Sequence, residues 1–140
     1  MPQVRLERRY RFSASHLYRR PDWSEEENRR CFGKCANLPG HGHNYRLHVQ
    51  LQGEPERDTG FITDLALLDR VVHEHVVDVL DHQHLNVAIP EFAPGKDIPS
   101  SENLVLWIRS RLAPALPDAV RLVRVRVEED DDLAAEWNEE

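Results

Sequence analysis

The clearest alternation of apolar and polar side chains lies near the N-terminus. Between residues 4 and 16, Arg8, Tyr10, Phe12, Ala14 and His16 share one parity, with Arg9, Arg11, Ser13 and Ser15 on the other. This predicts a half-buried strand with His16 at the end of its inward row. A second strand is predicted from His41, with His43, Tyr45, Leu47, Val49 and Leu51 on one face. Asn44, Arg46, His48 and Gln50 form its other face, which makes His48 a surface histidine. Gly53 to Gly60 is polar and turn-rich, and Phe61–Ile62 reads as a short third strand closing a hairpin. Leu65, Leu68, Val72, Val76 and Val79 then recur at helical spacing behind a cap at Thr63 or Asp64, predicting a helix to about Leu80. Ser100 or Ser101 caps a second helix through about Leu112, with Leu104, Trp107, Ile108 and Arg111 on one stripe and Pro114 stopping it. In the last strand Val123, Val125, Val127 and Glu129 share a parity, so Glu129 prolongs an apolar row while Glu128 belongs with the surface arginines.

Between these elements the pattern breaks. Residues 17–40 hold Pro21, Gly33, Pro39 and Gly40 and read as a long functional excursion, with a short helix near Ser24–Arg30 signalled by the Ser24/Glu27 capping box. Residues 86–99 read as a second loop, and the acidic stretch from Asp130 to Glu140 as a frayed tail. The order is β-β-β-α-α-β, an α+β domain in which antiparallel sheet is backed by a helix pair. At 140 residues the chain is expected to form one domain over 1–140.

Charge changes this picture only regionally. Residues 1–50 carry ten Lys/Arg against five Asp/Glu, whereas residues 51–140 carry eight against twenty, within a formal net charge of −7. That acidity argues against general nucleic-acid binding, while the basic half remains compatible with a small anionic substrate. The first ten residues lack the apolar run of a signal peptide, and no window approaches a membrane span. A cytoplasmic location is expected, where the two cysteines are ligand or nucleophile rather than a disulfide.

The chemistry concentrates in residues 31–45, Cys-Phe-Gly-Lys-Cys-Ala-Asn-Leu-Pro-Gly-His-Gly-His-Asn-Tyr. Alternate residues of a strand face one way, so His41 and His43 can grip one ion, and His16 is the candidate third ligand. Two zinc arrangements compete. Cys31, Cys35, His41 and His43 could close a structural site, making the protein a zinc-stabilised binding module. His16, His41 and His43 could instead hold the metal with a fourth position open, as catalysis requires. The open arrangement also accounts for all three histidines standing at the ends of core-facing rows. Asp81-His82 forms an adjacent carboxylate–imidazole pair of the kind that orients a catalytic histidine.

Phe12-Ser-Ala-Ser-His16, Phe32-Gly-Lys-Cys35 and His41-Gly-His-Asn-Tyr45 together resemble the 6-pyruvoyl-tetrahydropterin synthase family, which includes the 6-carboxytetrahydropterin synthases of queuosine synthesis. Thr59-Gly60 to Asp64-Leu65, Leu80-Asp-His82 to Leu85, Pro99 to Asn103 and Val127 to Glu129 agree in order and spacing. The resemblance implies a tunnelling fold (T-fold), with a four-stranded antiparallel sheet and two antiparallel helices on one face. Trimers would close into a barrel and two trimers stack into a homo-hexamer. It further implies Zn2+ on His16, His41 and His43, Cys35 as catalytic thiolate of depressed pKa, and Asp81 with His82 supplied across a subunit boundary. Glu129 would anchor the pterin, and Ser100, Ser101 and Glu102 are further candidates for substrate contact. The implied reaction converts 7,8-dihydroneopterin triphosphate to 6-pyruvoyl-tetrahydropterin with loss of triphosphate. The alternative is the 6-carboxy product from the same substrate. The five residues between Cys35 and His41 resemble the pyruvoyl branch, whereas Pro99-Ser-Ser-Glu-Asn resembles the carboxy branch equally well. Cys31 matches no family function and is expected to be a buried filler.

Overall fold

The computed structural model describes all 140 residues. Two thirteen-residue strands, β1 (Val4–His16) and β2 (His41–Gly53), form its spine. They pair antiparallel along their whole length, from Val4 opposite Gly53 to His16 opposite His41. Their inward rows are those the alternation marks, and Phe12 stacks on Tyr45 directly across the ladder, ring centroids 4.9 Å apart. Helix α1 (Glu25–Phe32) interrupts the excursion between them, with the Ser24 hydroxyl accepting from the Glu27 amide. A 3₁₀ turn, Gly33–Ala36, follows and carries Cys35.

Helix α2 (Leu65–Val72) starts at Asp64, whose carboxylate accepts from the Ala66 amide. It continues through a π-turn, His73–Val77, into the last helical turn α3 (Asp78–Leu80). A π-turn adds one residue to the helical path. It shifts the buried stripe, so Leu80 is fully buried while Val79, on the regular spacing, is only half-buried. The two-residue strand β3 (Gln83–His84) runs parallel to the end of β1, and α4 (Leu85–Ala88) and a 3₁₀ turn, Pro90–Phe92, occupy what reads as loop. Helix α5 (Ser101–Leu112) is capped by Ser100, and β4 (Arg121–Glu128) pairs with β2. One face of the sheet carries Tyr10, Phe12, Leu47, Val49, Leu51, Val125 and Val127 and is covered by Leu68, Val72, Val76, Leu104, Ile108 and Leu112 in one core.

Several expectations need correcting. The sheet has five strands in the order β3-β1-β2-β4-β5 and is not purely antiparallel. The fifth strand, β5 (Ala134–Asn138), lies in the supposed frayed tail. It pairs with β4, Arg109 sits 4.4 Å over the ring of Trp137, and Glu136 bridges Arg124 and Arg126. Phe61–Ile62 forms no strand, because the Phe61 carbonyl closes a local turn by accepting from the Glu56 amide. A register shift at Gln50/Leu51 makes Val123 an extra residue in β4, so Leu122 takes the inward place opposite Leu51. His48 is not a surface residue. It is 9% exposed, roofed by charged neighbours on the uncovered face, with Nε2 3.1 Å from Glu128 and Nδ1 3.5 Å from Glu7. Cys31 is exposed on α1 rather than buried.

Candidate metal centre and thiol

Because β1 ends where β2 begins, the register puts His16 opposite His41 and Ala14 opposite His43. All three imidazoles therefore leave the sheet on its core face at one end. Their ring centroids are 4.9, 5.0 and 5.1 Å apart, close to an equilateral triangle. One ring nitrogen from each lies within 4.8 Å of the other two. His16 is fully buried, its Nδ1 2.8 Å from the Tyr45 hydroxyl, and its ring lies against Tyr18 with centroids 4.4 Å apart. Nε2 of His16 and Nε2 of His43 are buried without a hydrogen-bond partner. Orphaned imidazole nitrogens converging on one point are what a borderline-soft cation requires. The donor set fits zinc. Neither sulfur belongs to this group of atoms. Cys35 Sγ approaches His41 Nε2 at 3.8 Å, and Cys31 is exposed on α1. The closed arrangement with both cysteines is set aside on that geometry.

Burial, then the charges of His43, His41 and His84, hold the His16 imidazole down at about 3, against an ordinary 6.5. At neutral pH it is therefore uncharged and its lone pair is free. The unfolded chain takes up this proton near pH 6.5, while the folded chain refuses it until about 3. Stability from this group is thus fully present above 6.5 and is lost as pH falls through that interval. The Arg124 guanidinium first, then Asn138 and Arg126, hold Glu136 at about 2 from 4.5, so its contribution declines only below 4.5. The metal-free protein is expected to lose denaturant resistance between pH 6.5 and 4.5, where histidine protonation acts first. A flat unfolding midpoint across that interval would contradict a neutral His16.

Cys35 is half-buried, and its carbonyl accepts from the Tyr18 amide at 2.9 Å. Burial first, then the Glu129 charge, pushes its thiol above the usual range, opposite to the depressed value expected of the thiolate. A cation on the three histidines would act in the other direction. Glu129, only 8% exposed, stands just beyond β4 on the inward parity. Its Oε1 lies 3.8 Å from His43 Nε2 and 3.9 Å from His16 Nε2, and accepts from the Tyr18 hydroxyl at 3.3 Å. So the structure brings together His16, His41, His43, Cys35 and Glu129.

It does not bring the other named residues to that point. Asp81 Oδ1 accepts from the Ser13 amide, Oδ2 lies 3.0 Å from His82 Nδ1, and the His82 amide donates to the Ser13 carbonyl. The Ser13 amide is the main cause that holds the Asp81 carboxyl below its ordinary range. His82, at φ 60°, leaves its side chain 82% exposed. It lines an open cleft of about 540 Å³ with Ser13, Ser15, Asn44 and His84, and His43 borders the same cleft. Within one chain the pair is formed, and no hydrogen bond or ion pair joins it to the three imidazoles. Ser100 caps α5, Ser101 is buried, and Glu102 is exposed in its first turn. No hydrogen bond or ion pair joins them to the cluster.

Four partners of the site escape the sequence reading: Tyr18, Tyr45, His84 and Asn86. Tyr45 already stands in the inward row with His43 and lacked only its role, while Tyr18 is found by extending the row that ends at His16 by two residues. His84 and Asn86 carry no such signal.

A sequence model of a protein family, described as 6-pyruvoyl tetrahydropterin synthase, matches residues 5–140. The chain is 40% identical over 129 residues to human 6-pyruvoyl tetrahydrobiopterin synthase, covering 92% of this chain and 87% of that protein. It is 38% identical over 103 residues to a putative 6-carboxy-5,6,7,8-tetrahydropterin synthase of Archaeoglobus fulgidus, covering 74% and 77%. The solved structure of Caenorhabditis elegans 6-pyruvoyl tetrahydropterin synthase superposes with a TM-score of 0.90 at 32% identity, covering 100% of this chain and 98% of that one.

Proposed function

The chain belongs to the 6-pyruvoyl tetrahydropterin synthase family, and from that premise we propose that it is a zinc-dependent carbon–oxygen lyase. It converts 7,8-dihydroneopterin triphosphate to 6-pyruvoyl-tetrahydropterin and releases triphosphate. The observation that carries this reading is the triangle of imidazoles with a thiol on one side and a carboxylate on the other.

His16, His41 and His43 would hold the ion, His16 and His43 through Nε2 atoms that otherwise lack partners. When bound, zinc supplies Lewis acidity that makes C–H bonds beside the substrate's side-chain oxygens easier to ionise. Cys35, next to His41, is placed to remove such a proton as thiolate. Glu129, fixed by Tyr18, accepts hydrogen bonds from the pterin ring N–H and amino group. The side chain is oxidised as the ring is reduced, so the redox change is internal and needs only proton carriers. His82, oriented by Asp81, suits that task. The homo-oligomer, a dimer of trimers, comes from the family resemblance, and the exposed His82 is free in it to serve a neighbouring site. No helix is long and apolar enough to cross a membrane.

The test is product identity. Zinc-loaded protein incubated with 7,8-dihydroneopterin triphosphate is expected to release one equivalent of triphosphate and the 6-pyruvoyl product, read by mass. The 6-carboxy product, together with a two-carbon aldehyde, would establish the second reading, which the Archaeoglobus relative favours. Substrate recovered intact would overturn both.

A further inference from the structure

The loop that carries Cys35 leaves the sheet after His16 and returns at His41, so its two roots set where the thiol stands relative to the ligands. Both roots are held by one short segment far away in sequence. At the first root, the Leu17 amide donates to Asn86 Oδ1 at 2.8 Å, and Asn86 Nδ2 donates to the Leu17 carbonyl at 2.8 Å. One side chain thus satisfies both backbone groups of the residue after His16, like an added rung of the ladder. At the second root, His84 Nε2–H donates to the Pro39 carbonyl at 2.9 Å, two residues before His41. Gly40, between them, passes so close to the His16 carbonyl that a Cβ would collide with it. It sits at φ 119°, in the region that favours glycine.

We propose that His84 and Asn86 are positioning residues of the site: by pinning Pro39 and Leu17 they fix the separation between Cys35 and the three histidines. The two strand ends are paired to each other regardless, His16 opposite His41. The backbone immediately beyond them is not. Leu17 has left the β1–β2 ladder, and its polar groups are met by Asn86. Pro39 has no N–H, and its carbonyl is met by His84. The segment is anchored through the parallel bridge of Gln83 and His84 to Ala14 and Ser15, and through Leu85, which is fully buried. It is therefore a rigid reference against which the loop is set. This inference rests on the zinc–thiol reading of the site but not on the pterin reaction.

The test uses the full chain carrying Cys31→Ser, so that Cys35 is the sole thiol. Zinc affinity is read by chelator competition, Cys35 alkylation by iodoacetamide in the zinc-loaded protein, and folding by circular dichroism. His84→Ala and Asn86→Ala are expected to weaken zinc by ~10-fold or more, the scale of losing an outer-shell support, and to speed alkylation by a similar factor as the loop opens. His84→Gln, which keeps an N–H donor, is expected to restore both toward the parent. Folded alanine variants whose zinc affinity and alkylation rate stay within about twofold of the parent would overturn the proposal, whatever their melting temperature. Should Asn86→Ala not fold, the His84 pair decides alone. No pterin enters these measurements, so failure of the lyase reading shows separately, as absent turnover in a parent protein with normal zinc and thiol behaviour.

Discussion

Replacing Cys35 by alanine is expected to lower turnover by ~10²-fold or more while zinc content and fold persist. That factor is the lower end of what a positioned general base contributes. The expectation follows from where the sulfur lies. It is close enough to His41 Nε2, at 3.8 Å, to serve a substrate held at the histidines, yet it stands outside the converging group of ring nitrogens. A closed structural site would behave oppositely, since losing one of four ligands would release the metal and destabilise the domain. Metal analysis and circular dichroism of the variant separate the two. Zinc lost along with activity would remove Cys35 from catalysis.

The second large effect is at His16. His16→Ala removes one corner of the triangle and the partner of the Tyr45 hydroxyl, and zinc affinity is expected to fall beyond the ~10–100-fold that outer-shell changes cost. Activity should disappear with it at limiting zinc. Full zinc occupancy in purified His16→Ala, under conditions where the parent is saturated, would show that the ion sits elsewhere. Together the two variants form a contrast: one keeps metal without turnover, the other loses both.

How much of this could be read from the chain alone depends on whether a residue's partner is local. The inward rows of β1 and β2 are strictly alternating, so His16, His41 and His43 fall on one face once the strands pair, and Glu129 follows from the same parity in β4. The helix caps are local signals: Ser24 caps as expected, and Asp64 and Ser100 are the members that cap in the two pairs left open, Thr63 or Asp64 and Ser100 or Ser101. What was not legible depends on distant pieces. β5 hides in an acidic stretch because its stability comes from β4, Arg109 and the arginines that meet Glu136. His48 sits on the polar parity but is covered by side chains from two other strands. His84 and Asn86 bond to backbone forty-five and sixty-nine residues away, a contact that no periodicity encodes. The thiol's upward shift likewise comes from the fold, through burial and Glu129.

The π-turn at His73–Val77 has a consequence beyond the stripe it re-aims. In a regular helix each residue advances the path by about 100° and ~1.5 Å. The one extra residue therefore acts as a phase setting for everything downstream. Without it, the exit of the helix would swing a quarter-turn and draw back, lifting Asp81 off the Ser13 amide and tilting the stretch that clasps Leu17 and Pro39. The length of this helix is thus a calibrated dimension, and a one-residue deletion among exposed positions such as Glu74 is expected to be felt at the roots of the Cys35 loop rather than where it was made.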